Sequence, residues 1–330
     1  MATCRGHRND GPLGNPSHKS NRLCVEQILR PRQFCNLSQI IARSDDSIDE
    51  LERKIRLAAA IGTIQSSMQD FKDIDTEFVW NAEDERLLGV SISGIMDCKI
   101  LSGGDKKALE LLKNAAIDEN KKWAARLGIK ESTSVTCVKP DGNTSVLYNS
   151  APGVHGRFAP YYIRRMRVQY GTPVANFALA VGIPAEPAFG ETWENCKTLV
   201  LSFPVKSPEG AIMQRERNAI EQLDNWLQFK KHYVETNPSV TISYRPGELD
   251  DIAAWLHKHQ DHVIGLSFLP VDDNSYAQMP YEEITAEQYQ ELAKVFDNVN
   301  MKEFWRFEDE KRDTTETAAN LACVAGACLL

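Results

Sequence analysis

The chain has 330 residues, enough to bury a substantial core in one large or two ordinary domains. Charged residues make up 25% and the formal net charge is -8, which argues against general nucleic-acid binding and leaves any anionic substrate to a local basic site. There is no apolar run of the roughly 18 residues a membrane span needs and no apolar signal-peptide core at the N-terminus, while eight cysteines outside a short secreted framework point to a reducing, cytoplasmic compartment where some thiols do chemistry.

Residues 1-20 are polar, with almost no apolar periodicity, and read as a loop or disordered arm. The sequence turns apolar at Leu23. From Ser47 to Gln69 it reads as a helix, with Asp45, Asp46 or Ser47 as cap and Ile48, Leu51, Ile55, Ala58 and Ile61 on one face. The small, apolar run 86–94 carries Gly89 and Gly94, which permit close packing or a turn. Cys98 follows without an obvious partner and is read as structural. A second helix runs from Lys106 to Leu127 and ends at Gly128.

Residues 134–138 read as a short buried strand. It leads into Lys139-Pro140-Asp141-Gly142-Asn143-Thr144-Ser145. A strand that ends in a Gly- and hydroxyl-rich loop offers backbone N–H groups and hydroxyls to phosphate, with Lys139 adding charge. An ordinary turn has the same composition, and both readings stand. In a strand, Arg165 and Arg167 share one face, either to neutralise phosphates or to pair with surface acids. Further on, strands are expected at 198–203, 240–244 and 263–267, and helices at 219–235, 248–259 and 285–296, the last capped by Thr285. This alternation argues for an α/β architecture. His257, His259 and His262 read as solvated rather than metal-binding.

The cysteines carry the chemical signal. Cys24 has a carboxylate two residues on, at Glu26, and Cys35 follows eleven positions after it. In extended chain, residues i and i+2 point to one side, so a thiol and a carboxylate would face one substrate. The alternative is that Cys24 and Cys35 are small buried residues. At the far end Cys323 and Cys328 sit in a small-residue tail, after the polar stretch Thr314-Thr315-Glu316-Thr317. A mobile dithiol can carry reducing equivalents by disulfide exchange; half a metal site or a buried apolar end are the other readings.

Together these stretches resemble the class II, adenosylcobalamin-dependent ribonucleotide reductases, above all the ribonucleoside-triphosphate reductases. The residues that carry the resemblance are Cys24-Val25-Glu26, Gln33-Phe34-Cys35-Asn36-Leu37, Lys139-Pro140-Asp141-Gly142 and Pro152-Gly153-Val154-His155. Residues 161–167, 265–270 and 280–283 extend it, and the Cys323/Cys328 pair completes it. The resemblance implies an α/β fold, the C-terminal half of a ten-stranded α/β barrel, over residues 21-310, with a mobile redox tail at 311-330. It implies that Cys24 becomes the thiyl radical and that Glu26 handles the 3′-hydroxyl proton. Cys35 would be one of two reducing cysteines, loop 139–145 the substrate-phosphate loop, and Cys323 and Cys328 the dithiol recharged by thioredoxin. Adenosylcobalamin would supply the radical.

Two departures stand out. Arg22 occupies the position where the family pattern has Asn. The family's N-terminal half, with the other reducing cysteine, has no counterpart, so the chain reads as a fragment or one piece of a split enzyme that needs an N-terminal partner. An inactive remnant and a thiol-disulfide carrier are the alternatives.

Overall fold

The computed structural model describes residues 26–27, 29–271 and 276–308. The arm at 1-20, Cys24, Cys323 and Cys328 lie outside the described residues. In chain order the elements are β1 (Asn36–Ile41), α1 (Ile48–Ser66), α2 (Thr76–Glu85), β2 (Leu88–Ser93), α3 (Lys99–Ser102), α4 (Lys106–Leu127) and α5 (Thr144–Leu147). Then come β3 (Tyr161–Gln169), α6 (Pro173–Ala180), β4 (Ala185–Pro187), β5 (Thr198–Lys206), α7 (Ala219–His232) and β6 (Thr241–Tyr244). The last are α8 (Leu249–Lys258), β7 (Ser267–Pro270), β8 (Tyr281–Glu283) and α9 (Ala286–Ala293). They fall into two compact units. One runs through Arg157 and resumes over Glu209–Val271; the other takes Phe158–Pro208 and the chain from Asp272 onward.

The first unit is built on parallel pairing. β1 pairs with β2 in parallel, Asn36 opposite Leu88 through Ile41 opposite Ser93. On the other side of β2 lies segment 134–138, joined by a parallel bridge between Val90 and Thr136. Leu88 N donates to Ser134 O at 2.9 Å, Val90 N to Val135 O at 2.8 Å, and Cys137 N to Val90 O at 3.2 Å. The expected strand is thus present as a paired segment. It pairs onward through a parallel bridge between Val138 and Pro238, just before β6, and β6 pairs in parallel with β7. Five parallel segments therefore follow one another in chain order.

The sequence of β2 explains its two faces. Leu88, Val90 and Ile92 alternate with Gly89, Ser91 and Ser93, and all six are buried. The apolar set joins Ile40 of β1, Leu51 and Ile55 of α1 and Leu109 and Leu112 of α4 in one core. Strands of parallel sheets are covered on both faces, as here. α1 starts at a capping box in which Ser47 and Glu50 satisfy each other's backbone N–H groups. α4 ends at Gly128, in the left-handed conformation at φ 66°. The strand expected at 263–267 lies later, at Ser267–Pro270. Val263 and Leu266 pack on the core without joining the ladder, so their hydrophobicity marks burial and not pairing.

The second unit is an antiparallel sheet in the order β4-β5-β3-β8. β3 and β5 pair over nine residues each, Tyr161 opposite Lys206 through Gln169 opposite Thr198. Ala175 and Ala178 of α6 pack with Ile183, Leu199 and Leu201. Arg165 donates to Met279 O at 3.0 Å and forms an ion pair with Glu282 at 2.5 Å. Arg167 donates to Gln278 O at 3.2 Å, and the Arg164 guanidinium lies 4.4 Å from the Tyr281 ring centroid. Of the two roles open to this arginine cluster, it takes the structural one, holding segment 278–282 against β3.

Candidate active site on the polar face of the parallel strands

The small and polar alternation of β2 makes one face of the first unit chemically different from the other. Register places Leu37 beside Gly89 and Gln39 beside Ser91. Gly89 is required there by close approach. A Cβ on it would lie 2.4 Å from Leu37 Cδ2 and 2.9 Å from Cys137 Sγ, closer than carbon and sulfur tolerate. The missing side chain therefore leaves room for the side chains of Leu37 and Cys137 on either side of Gly89. Ser91 Oγ accepts from Lys139 N at 3.0 Å, fixing the start of loop 139–145 to β2.

Glu26 reaches this face from a segment tied at two points. Its carbonyl oxygen accepts from Thr236 Oγ1 at 2.5 Å. The buried Gln27 beside it donates from Nε2 to Leu88 O at 3.0 Å. The Glu26 oxygen Oε2 is buried and, among the described residues, has no hydrogen-bond partner. A buried acceptor without a donor costs about 1–3 kcal/mol, and an incoming donor would relieve that cost.

Two thiols share its field. Burial, and then the Glu26 charge, push the Cys35 thiol up to about 11, with Lys139 opposing. Burial, and then Cys35 and Glu26, push Cys137 higher still. Both thiols stay protonated at neutral pH, which suits hydrogen donors better than nucleophiles. The structure thus brings Glu26, Cys35 and Lys139 of the expected set into one electrostatic neighbourhood. It adds Cys137, which sequence reading left as an ordinary strand residue. Its signal was its place one residue before the end of a buried segment that leads into Lys139.

Loop 139–145 is anchored from below. Asp141 is buried and adopts φ 55°, a left-handed conformation uncommon outside glycine. Its Oδ2 accepts from Gln39 Nε2 at 2.6 Å and from Ser93 Oγ at close range. Ser145 Oγ donates to Asp141 O at 2.5 Å. Gly142 and Asn143 are left exposed, and Thr144 half-exposed. Beyond the loop, Arg43 donates to Tyr148 O at 2.8 Å and Asn149 O at 3.0 Å. The buried Arg157 guanidinium meets Asp97 in two bonds, Nε to Oδ1 at 2.9 Å and Nη2 to Oδ2 at 2.8 Å. Asp97 Oδ2 also accepts from Ala151 N at 2.8 Å.

His155 closes the same connection. Its Nε2 accepts from Thr241 N at 2.9 Å, which leaves Nδ1 to donate to Pro152 O at 3.0 Å. Burial, with the Arg217 charge adding to it, holds this imidazole below its ordinary pKa, and the neutral form is the one these bonds require.

Comparison with known proteins places this face in context. No protein-family model matches the chain. A probable adenosylcobalamin-dependent ribonucleoside-triphosphate reductase of Dictyostelium discoideum is 28% identical over 84% of this chain and 36% of its own length. The adenosylcobalamin-dependent ribonucleoside-triphosphate reductase of Euglena gracilis is 26% identical over 87% of this chain and 40% of its own. That of Lactobacillus acidophilus is 24% identical over 92% and 44%. A crystal structure of a B12-dependent class II ribonucleotide reductase shares the fold, with a TM-score of 0.72 and 20% identity over 87% of this chain and 43% of that one. The resemblance carried by the motifs therefore extends along most of the chain, which spans less than half the length of these relatives.

Proposed function

We propose that this relative of part of the class II, adenosylcobalamin-dependent ribonucleotide reductases converts a ribonucleoside triphosphate to its 2′-deoxy form by a thiyl-radical route, as one portion of the catalytic unit. The observation that supports this most directly is the buried Glu26 oxygen, without a hydrogen-bond partner among the described residues, in the field of a protonated Cys35. In this reading Cys24, two residues from Glu26, is the thiol that becomes the radical and takes the 3′-hydrogen. Glu26 accepts the 3′-hydroxyl proton. The C2′–O bond breaks, the hydroxyl leaves as water, two thiols, one of them Cys35, supply the hydrogen equivalents and end as a disulfide, and Cys24 returns its hydrogen to C3′ and is again the radical. Loop 139–145 holds the phosphates, with Lys139 as the charge. Cys323 and Cys328 return the site to the dithiol state and are themselves reduced by thioredoxin.

The thiols of Cys35 and Cys137 and the Glu26 carboxylate suit hydrogen and proton transfer, the chemistry that a radical initiator calls on. Adenosylcobalamin, when bound, supplies the initiating radical. The five parallel segments are read as half of a ten-stranded barrel, with an N-terminal half as the partner that completes it. β7, exposed along its length, offers an edge for that pairing.

The test is ribonucleotide reduction by this chain with adenosylcobalamin and a dithiol, with and without the N-terminal half of a relative. Deoxyribonucleotide from the mixture alone is the expected result. No product from either, with the chain folded, rejects the reading.

A further inference from the structure

Three side chains from three neighbouring parallel segments meet under loop 139–145, and none of the chemistry above accounts for them. Gln39 comes from β1, Ser93 ends β2, and Asp141 opens the loop after segment 134–138. Gln39 Nε2 donates to Asp141 Oδ2 and to Ser93 Oγ, both at 2.6 Å, and Ser93 Oγ in turn donates to Asp141 Oδ2. Ser93 and Asp141 are buried. The position is unusual for a carboxylate in a loop read as a phosphate site, because a bare negative charge would repel the ligand. Here the carboxylate is turned down onto the strand ends and its oxygen is taken up by two donors.

We propose that Gln39 and Ser93 are positioning residues, and that Asp141 is the anchor through which they hold loop 139–145 in its left-handed start, not a ligand of the anion. This deepens the phosphate-loop reading above and rests on it for the identity of the anion. The anchor works by geometry. Asp141 at φ 55° reverses the chain immediately after Pro140. Ser145 Oγ then bonds back to the Asp141 carbonyl, so the residues between, Gly142, Asn143 and Thr144, are presented outward. Releasing the carboxylate frees the first residue of that short turn, on whose carbonyl the Ser145 bond closes it. The ordering entropy of the exposed residues would then be paid when the anion binds, and affinity would fall.

Two measurements on the full chain test this. In the first, hydrogen exchange is followed across residues 139–149. Ser93→Ala and Gln39→Leu are expected to speed exchange there and leave α4 protected. Unchanged protection in both variants would overturn the anchor. In the second, binding of inorganic tripolyphosphate is titrated. Asp141→Ala and Ser93→Ala are expected to weaken it by about tenfold, the loss of one charge-assisted hydrogen bond. Asp141→Asn, which keeps an acceptor for Ser93, is expected to restore part of the affinity. Tighter binding by Asp141→Ala would contradict the proposal, since it would mean that the carboxylate faces the anion. Faster exchange in the variants of a chain that binds no tripolyphosphate would leave the anchor standing and reject the phosphate reading instead.

Discussion

In the first unit a carboxylate oxygen and two raised thiols share one strand face, and the carboxylate oxygen has no hydrogen-bond partner among the described residues. In the second, three arginines on one strand reach carbonyls, a carboxylate and a ring of the adjacent segment, while the Nε atoms of Arg164 and Arg165 are buried with no hydrogen-bond partner among the described residues. Both sets look chemically able from sequence. What separates them is what the surrounding chain sets beside their charges: the arginines are engaged by one adjacent segment, whereas the Glu26 carboxylate lies in the neighbourhood of two thiols.

The largest effect expected from probing this contrast lies under the site. Asp97→Ala leaves Arg157 buried beside an empty position and is expected to cost about 3–5 kcal/mol, enough to unfold the first unit, read by chemical denaturation. A loss under 1 kcal/mol would show that the pair is not what holds the connection to segment 134–138. Gly89→Val forces a side chain against Leu37 and Cys137, at an expected cost of about 1–3 kcal/mol. The same denaturation curve tests it, and a neutral result would mean that the polar face has room to spare.

Arg165→Ala should remove about 1 kcal/mol or less, because Glu282 is partly exposed. It should leave tripolyphosphate binding unchanged; a marked loss of binding would return the arginines to the candidate site. His155 gives a pH signature. Its folded pKa lies below its unfolded value, so the stability it contributes is present above about pH 6.5 and lost as pH falls below it. The wild-type melting temperature should therefore fall more steeply than that of His155→Gln between pH 6.5 and 5, and parallel curves would contradict the neutral tautomer. The smallest signal is Cys35. At pH 9 its alkylation should be about fifty-fold slower than that of an ordinary thiol, because so little of it is thiolate. Glu26→Gln should quicken it.

Much of this was readable from the chain. The helix over Lys106–Leu127 and its Gly128 end follow from periodicity and a terminal glycine, and the sequence narrows the start of α1 to a cap at Asp45, Asp46 or Ser47, of which Ser47 takes the role. Glu26, Cys35 and Lys139 were picked out by residue type and order. What sequence could not show was register. Cys137 stands out because Gly89 of the neighbouring β2 leaves room for its thiol, and Gln39 because it lies within reach of Ser93 and Asp141, separated by 54 and 102 positions. Nor does an arginine-rich strand say whether its partners are phosphates or the chain itself. The hydrophobic run at 263–267 misled for a similar reason, since burial and strand pairing leave the same trace in composition.

The most direct measurement compares Glu26→Gln and Cys35→Ser with wild type in the reduction mixture containing adenosylcobalamin, a dithiol and an N-terminal half. The polar-face assignment predicts that both variants remain folded and bind substrate, while product formation falls by about a hundredfold or more, as removal of an acid–base or hydrogen-donating group requires. Turnover that survives both substitutions would contradict it.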